Sequence, residues 1–289
     1  MSFRRATQAD RPALESFLRQ HAPVAMFPLA NLMTEGLARP LDRDNPPRSL
    51  HAYVPEGADM HAVCAITDEG MLLPVLPGGD ASVWDALRPL LAGRFAMGIA
   101  GEARMARAGL SALGLDRARM RLAEDEPHYL LELAALKVPD CTGMTLVAPD
   151  ASDRRLLHDW RIAYHVETLG TPQAEAARAA ERDLDGWLSR DAIRILLRDG
   201  VPVSMSGLNA TAGDIVQVGG VFTPPELRRQ GLARRAVALA LAEQRAAGVT
   251  RATLFAASTN AAKAYEAIGF DRIGDYTLAL FADPAEIAG

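Results

Sequence analysis

Cysteine is scarce in this sequence, and long apolar runs are missing from it. The two cysteines, Cys64 and Cys141, lie far apart in the 289 residues and outside any CxxC arrangement. A disulfide framework is therefore not expected, and a reducing, cytoplasmic location is predicted. No apolar run reaches the ~18 residues that a membrane span needs. The N-terminal residues MSFRRAT also lack the apolar stretch of a signal peptide, so no membrane partner is expected.

Signals for metal ions and nucleic acids are weak as well. His61 and Cys64 have a ligand-like spacing, but the segment HAVCA is typical of a buried strand, so no metal site is predicted. The formal net charge is -5, and no block of Lys and Arg offsets it. This charge balance argues against nucleic acid as a partner.

The composition and length are those of a globular protein with a substantial core. Apolar residues make up 49% of the chain and charged residues 23%, and the length suits one large domain or two of ordinary size. The segment LVAPDA at 146–151 echoes RRATQA at 4–9, and each precedes a helical pattern. We therefore predict two tandem domains, 1–137 and 138–289. Their fold class is α+β, with a mixed, mostly antiparallel sheet flanked by helices.

The second half has the clearer pattern of elements. A strand at 214–223 ends at Pro224 and Pro225, because proline cannot donate to a sheet ladder. An alanine-rich helix, 232–247, follows and ends at Gly248. The other predicted strands of this half are 144–147, 193–197, 203–208, 252–256 and 276–281, and the other helices are 152–168, 174–188 and 260–268. In the first half, residues 41–48 are predicted to form a loop, and the alternating residues at 129–133 are predicted to form its last strand.

The turn between strand 214–223 and helix 232–247 has the layout of an anion site. A helix start exposes four unpaired N–H groups and about half a positive charge, which favour phosphate oxygens. Gly231 lets the backbone approach a ligand, and Ala233 keeps the next exposed position small. The sequence has neither a GxxxxGK[ST] loop nor a GxGxxG turn after a strand, so the usual nucleotide fingerprints are missing. The alternative interpretation is a helix start with nothing bound.

At 221–233, the segment VFTPPELRRQGLA resembles the signature of the GNAT superfamily of acyl-CoA-dependent N-acyltransferases. That signature is a strand, a proline and then [Q/R]xxGx[G/A], matched here by Arg228, Gly231 and Ala233. The segment TNAAKAYEAIGF at 259–270 is similar to a second marker of the family. The resemblance implies acetyl-CoA as co-substrate and two tandem GNAT-like domains.

The same resemblance implies a set of cofactor contacts. The backbone of Val221 and Thr223 would pair with the pantetheine arm, and the amides of the turn would hold the pyrophosphate. Asn260 and Tyr265, five residues apart and expected on one face of a short helix, would meet the cofactor and its thioester sulfur. The expected cofactor-binding residues are Val221, Phe222, Thr223, Arg228, Arg229, Gln230, Gly231, Leu232, Ala233, Arg234 and Asn260.

The first half resembles the family only faintly. Its strand-to-helix junction at 95–104 lacks the signature and has Glu102 where phosphate would lie. A carboxylate at a helix start repels phosphate. The first domain is therefore predicted to be a degenerate copy that has lost cofactor binding.

Acyl transfer to an amine needs a base for the amine proton and a proton for the leaving thiolate. Tyr265 is the predicted proton donor, and the alternative is a core aromatic. Many relatives carry an acid on the central strand, but this strand has Gln217, which cannot act as a base. Glu167 is the candidate base, on one predicted helix face with Trp160 and Tyr164, the predicted substrate contacts. A packing stripe with a solvated acid explains that face equally well.

The predicted function is an N-acetyltransferase that transfers acetyl directly from acetyl-CoA to a primary amine, either a small amine or a peptide amine. The alternative is a non-catalytic acyl-CoA-binding or sensing protein, which the missing central acid permits. Exposed edges of the C-terminal strands leave a homodimer open.

Overall fold

The computed structural model describes residues 2–38, 49–57 and 59–289, and the predicted loop at 41–48 lies outside them. The chain forms two compact units, unit 1 with residues 1–126 and 274–289, and unit 2 with residues 127–273. Each is mixed α+β with a mostly antiparallel sheet, which confirms the predicted fold class. Among the described helices, none combines the length and the apolar character that a bilayer crossing demands.

The helices and strands largely follow the predicted ones. The chain up to β6 contains β1 (Phe3–Arg5), α1 (Arg11–Gln20), α2 (Ala22–Thr34), β2 (Leu50–Pro55), β3 (Val63–Thr67), β4 (Met71–Val75), α3 (Val83–Leu91), β5 (Phe95–Glu102), α4 (Ala103–Ala112) and β6 (Met120–Glu132). The rest contains β7 (Met144–Val147), α5 (Arg154–Glu167), α6 (Gln173–Ser189), β8 (Ile193–Arg198), β9 (Val201–Ala212), β10 (Ile215–Phe222), α7 (Leu232–Ala246), β11 (Arg251–Phe255), α8 (Thr259–Glu266) and β12 (Asp271–Glu286).

The sheet of unit 1 has the strand order β1-β2-β3-β4-β5-β12. Its neighbouring strands are antiparallel except β4 and β5, which pair in parallel with Met71 opposite Gly98. A parallel pair needs a crossover connection, and α3 supplies it. This helix buries Trp84 completely, and the Trp84 ring lies so close to Gly109 of α4 that a Cβ there would be 2.5 Å away.

The sheet of unit 2 repeats the same succession of pairings. Its order is β6-β11-β10-β9-β8-β7, and only β10 and β11 are parallel, with α7 as their crossover. Helix α5 packs against β10 and α6 against β9. Their buried side chains Trp160, Leu184 and Trp187 share one core with Met205 of β9 and Phe222 of β10.

The units differ from the predicted domains, whose boundary we placed between residues 137 and 138. The strand predicted at 129–133 lies in unit 2, where Leu130 of β6 pairs with Thr253 of β11. The strand predicted at 276–281 lies in unit 1, where Leu278 of β12 pairs with Ala100 of β5. An alternating apolar pattern identifies a strand but not its partner, so a boundary drawn at a linker misassigned both.

Candidate cofactor-binding and active site

A β-bulge distorts β10 just before the turn. Between Gly219 and Phe222 this strand advances three residues while β9 advances only two, from Gly207 to Met205. Gly220 lies within the bulge at φ +60, and a Cβ there would be 2.1 Å from the Trp187 ring. Only glycine fits this backbone and this space. Bulges of this kind redirect a strand beside functional sites.

Beyond the bulge, one edge of β10 is open. The parallel pairing of β10 with β11 covers only 215–217 against 251–253, whereas β10 continues to Phe222. The Phe222 carbonyl faces β9, because it accepts a hydrogen bond from Ser204 Oγ at 2.9 Å. Successive residues of a strand point their polar groups to opposite edges, so Val221 and the Thr223 N–H face away from β9. This edge can therefore pair with an extended ligand chain.

The turn after β10 presents a row of main-chain donors. Arg229 and Gly231 both have left-handed backbones, at φ +63 and +70, and Gly231 caps α7 without a side-chain cap. Within the described chain, the N–H groups from Arg229 to Arg234 make no hydrogen bond of good geometry to protein, and the first satisfied one is Arg235, which donates to the Gly231 carbonyl at 3.2 Å. Six consecutive donors at a helix start form an anion-binding concavity. We call this segment, 229–234, the donor turn.

Arginines surround the donor turn. Arg198 donates to Gln230 Oε1 at 2.8 Å, and Arg235 donates to the Asp140 carbonyl at 2.7 Å. Arg228 donates from Nε to the Thr223 carbonyl at 2.9 Å. The Nε of Arg234 is buried and has no hydrogen-bond partner among the described residues. Arginine side chains therefore surround the turn, and one buried donor, Arg234 Nε, lacks an acceptor among the described residues.

The counterpart of the donor turn in unit 1 is the connection from β4 to α3, at 76–82, and not the junction at 95–104. There three main-chain N–H groups are already engaged: Gly79 donates to the Leu76 carbonyl at 3.1 Å, Ser82 donates to Asp80 Oδ1 at 2.7 Å, and Val83 donates to the Asp80 carbonyl at 3.1 Å. The same hydrogen bonds from Ser82 hold the pKa of Asp80 below its usual value, so a carboxylate occupies this turn. Glu102, which we had placed at the phosphate position, instead caps α4 by accepting from Met105 at 3.2 Å.

The predicted substrate face of α5 lies over the end of β10. The Trp160 ring is 6.2 Å from the Phe222 ring and only 9% exposed, so Trp160 serves mainly as packing. Tyr164 is half-buried, with the Arg161 guanidinium 4.4 Å from its ring centre. Glu167 is exposed and forms an ion pair with Arg228 at 2.6 Å. The candidate base is thus held by an arginine of the predicted cofactor site.

A charged cluster that sequence reasoning missed joins α5 to α6. Asp183 accepts from Arg161 Nε at 2.7 Å and from His165 Nε2 at 2.8 Å. Burial alone would raise the pKa of Asp183, but the hydrogen bond from His165 and the charge of Arg161 outweigh it and hold this pKa below its usual value. The spacing of Arg161 and His165 by four residues was the available signal, because it places them on one helix face.

Helix α8 presents its two predicted residues differently. Asn260 is exposed, whereas Tyr265 is only 7% exposed and packs edge-on against Phe270 at 6.1 Å. Five helical residues span about 140° of rotation beyond a full turn, so the two side chains do not share one face. Our expectation of a common face was therefore wrong, although both residues lie on the helix that follows β11.

Three buried polar side chains lie in a row across β10, β11 and β6. Gln217 pairs with Thr253, and His128 Nε2 lies 2.7 Å from Thr253 Oγ1. Thr253 donates its single hydroxyl proton to the Tyr129 carbonyl at 2.9 Å. Its oxygen therefore has no proton left for His128, so it accepts the hydrogen bond from the His128 Nε2–H. Sequence reasoning missed His128 and Thr253, because His128 precedes the predicted linker and no motif marks it.

The sequence model of the acetyltransferase (GNAT) family matches residues 155–270, which include the bulge, the donor turn and α8. Residues 155–270 form a GNAT acetyltransferase domain. GNAT enzymes use acetyl-CoA as co-substrate. The open edge of β10 and the donor turn fit its pantetheine arm and its pyrophosphate. Among the described residues, no group of three or more His, Cys, Asp or Glu could hold a metal ion.

Solved structures similar to this GNAT-containing chain cover nearly all of it. A Drosophila protein is 14% identical with a TM-score of 0.60, over 96% of this chain and 98% of that one. A GCN5-related N-acetyltransferase from Sphaerobacter thermophilus is 16% identical with a TM-score of 0.57, over 99% and 96%. A GNAT-family acetyltransferase from Colwellia psychrerythraea is 14% identical with a TM-score of 0.50, over 97% and 100%. At these identities the likeness shows the fold. No curated protein matches the chain.

Proposed function

We propose that unit 2 transfers an acetyl group from acetyl-CoA directly to a primary amine, carried by a small molecule or a peptide. The observation that supports this most strongly is the donor turn, whose six N–H groups have no good acceptor among the described residues and directly follow the open edge of β10. A pyrophosphate supplies acceptors for these donors, and an extended pantetheine arm supplies the missing strand partner. Two adjoining parts of one ligand are thus matched by adjacent segments.

In this proposal the other predicted site residues have defined roles. Val221 and Thr223 pair with pantetheine, and Phe222 closes the bulge against Trp160. Asn260, exposed in the first turn of α8, contacts the cofactor from the helix that follows β11. Unit 1 is a degenerate copy, because in its counterpart turn at 76–82 the Asp80 carboxylate accepts from the Ser82 N–H and repels phosphate.

Tyr265 is proposed to protonate the leaving thiolate. Tyr265→Phe should lower kcat by about tenfold to fiftyfold while the Kd for acetyl-CoA stays within about twofold. General acids contribute about 10²–10⁴, and the effect is smaller here because a simple thiol has a pKa of about 8.5 and leaves readily as thiolate. The measurement is initial-rate release of free CoA thiol at saturating acetyl-CoA.

Tyr129→Phe is the matched control for Tyr265→Phe. Tyr129 is another buried tyrosine of unit 2, whose hydroxyl donates to Glu266 at 2.8 Å, and it has no place in the proposed chemistry. It should leave kcat within about twofold. An equal loss in both variants would show a packing effect and contradict the role of Tyr265.

Glu167 is proposed to accept the amine proton after acetyl-CoA draws Arg228 towards its phosphates. Glu167→Gln should lower kcat/KM for the amine by about tenfold to a hundredfold, as expected for a general base. The same change frees Arg228, so the Kd for acetyl-CoA should tighten by about twofold to fivefold, the value of an exposed ion pair. Steady-state kinetics and calorimetry measure the two effects. Glu175→Gln, in the exposed first turn of α6, is the control and should leave kcat/KM and Kd unchanged. An unchanged kcat/KM in Glu167→Gln would reject Glu167 as the base.

A second candidate function is a non-catalytic acyl-CoA-binding protein. The observation that favours it is Gln217, which occupies the central strand where many GNAT enzymes carry an acid. Acetyl-CoA titration and a free-thiol assay with a panel of amines separate the two functions. Tight binding with no turnover on any amine would select the binding protein and reject the enzyme.

A further inference from the structure

Gln217 carries a buried polar atom without a partner. Its side chain is on β10, the residue is 1% exposed, and its Oε1 has no hydrogen-bond partner among the described residues. A buried acceptor left without a donor destabilises a fold, and native structures retain few of them. An atom of this kind points to a ligand or a water that supplies the missing donor.

Gln217 lies where the two parallel strands separate. It is the last residue of β10 paired with β11, opposite Thr253, and the open edge begins with the next residue. Its carboxamide therefore stands at the closed end of the gap in which a pantetheine arm would end. A thioester carried into the gap would be presented near this side chain.

The register places Gln217 on the sheet face covered by α5 and α6. Gly219, two residues later, pairs with Gly207, and a Cβ on Gly207 would lie 3.1 Å from the Trp187 ring of α6. The register shifts between Gln217 and Val218, but the extra residue, Asn209, belongs to β9, so residues two apart on β10 still share a face. Residues directly opposite each other also share a face. The unpartnered oxygen is therefore on the side of Trp160, Tyr164 and Glu167, the face assigned to the acceptor.

A carboxamide oxygen can accept a hydrogen bond but cannot take a proton or balance a positive charge. On the same two helices Asp183 is held by Arg161, and Glu167, the proposed base at the end of α5, is exposed to solvent, whereas Gln217 is buried. An ammonium buried beside Gln217 would lack a counter-charge, which is far more costly than burying a neutral amine. The site therefore suits an amine that arrives uncharged.

We propose that Gln217 Oε1 accepts an N–H of the incoming amine and orients its lone pair towards the thioester carbonyl, which selects weakly basic primary amines. The nitrogen then attacks the carbonyl carbon, the C–N bond forms and the C–S bond breaks. Glu167 takes the proton that the amine loses and Tyr265 protonates the thiolate, giving an amide and free CoA. This inference rests on the proposed acetyltransferase function.

The preference between amine classes follows from their protonation. An α-amine with a pKa of about 7.7–8.0 is roughly 10–20% neutral at pH 7, and a lysine ε-amine with a pKa of about 10.4 is roughly 0.04% neutral. The neutral fractions differ by a factor of about 250 to 500. The acceptor is therefore an α-amino group or an amine of similar basicity, in preference to a lysine side chain.

Two lysine derivatives with the same atoms test the preference. Nε-acetyl-lysinamide has a free α-amine and Nα-acetyl-lysinamide has a free ε-amine, so only the basicity and position of the amine differ. Wild-type protein should show kcat/KM at pH 7 at least about 100-fold higher for the free α-amine. A preference for the ε-amine overturns the proposal.

Gln217→Leu tests the residue itself. It should lower kcat/KM for the α-amine by about tenfold to a hundredfold, mainly through KM, with the Kd for acetyl-CoA within about threefold. The melting temperature should stay level or rise, because the variant removes an unsatisfied buried acceptor. Gln173→Leu, at an exposed position of α6, is the control and should change none of these values.

Unchanged kinetics of Gln217→Leu on the α-amine overturn the positioning role while the acetyltransferase function stands. Failure of the function itself looks different, because wild-type protein would then bind acetyl-CoA and acetylate neither lysine derivative nor any other amine.

Discussion

Ala233→Glu should raise the Kd for acetyl-CoA by about 100-fold without weakening the fold. Ala233 is the second residue of α7 and lies within the donor turn. A glutamate at a helix start stabilises the helix by about 0.3–1 kcal/mol, so the variant should fold normally. The same carboxylate, about 6 Å from a bound phosphate, costs about 3 kcal/mol at an effective dielectric constant of about 20, which is a factor of about 100. Calorimetric titration and thermal melting measure the two opposite effects.

Ala233→Gln separates charge from size in this experiment. Glutamine has nearly the same volume and no charge, so the Kd for acetyl-CoA should rise less than about fivefold. Equal weakening by both variants would show steric exclusion and contradict the electrostatic argument. Unchanged affinity in Ala233→Glu would show that the phosphates do not lie at the donor turn.

Asp183→Asn should lower the free energy of unfolding of unit 2 by about 3–5 kcal/mol. The Arg161 side chain is only 7% exposed, so the substitution leaves a buried guanidinium without its counter-charge. The cluster also joins α5 to α6, the helices that carry Trp160, Tyr164 and Trp187. Urea unfolding followed by tryptophan fluorescence measures the loss.

Asp185→Asn is the matched control, because it also removes a carboxylate of α6 that pairs with an arginine of α5. Here the Arg154 side chain is 39% exposed and the Asp185 side chain 62%, so water replaces the lost partner. The expected change is at most about 1 kcal/mol. A similar small change in both variants would contradict the view that the Asp183 cluster fixes the acceptor face.

Local features of the chain were predictable from sequence, and partners distant in sequence were not. The segment that leads into the donor turn was recognised from consecutive residues, between Pro224 and Ala233, because each of the recognised residues has a local conformational reason. The strands around Tyr129 and Tyr276 were also recognised from their alternation. Their assignment to units failed because β6 and β12 pair with strands far away in sequence.

Two further outcomes have the same physical cause. In unit 1 we predicted the counterpart of the donor turn after β5, whereas it follows β4. Without the sheet order, nothing in the sequence shows that β4 corresponds to β10. The row of Gln217, Thr253 and His128 could not be predicted from the sequence either, because only the pairing of β10, β11 and β6 brings these residues together. In the sequence, Gln217 stands out because many relatives carry an acid on this strand. Only the structure shows that its side-chain oxygen has no partner among the described residues.

The central claim is that the chain has one acetyl-CoA site and that the donor turn of unit 2 forms it. Calorimetric titration of wild-type protein with acetyl-CoA tests this most directly, because it gives the number of sites as well as the affinity. The account predicts one molecule bound per chain, since Asp80 in the 76–82 turn of unit 1 accepts from the Ser82 N–H and repels phosphate. Two molecules per chain, or none, would contradict it.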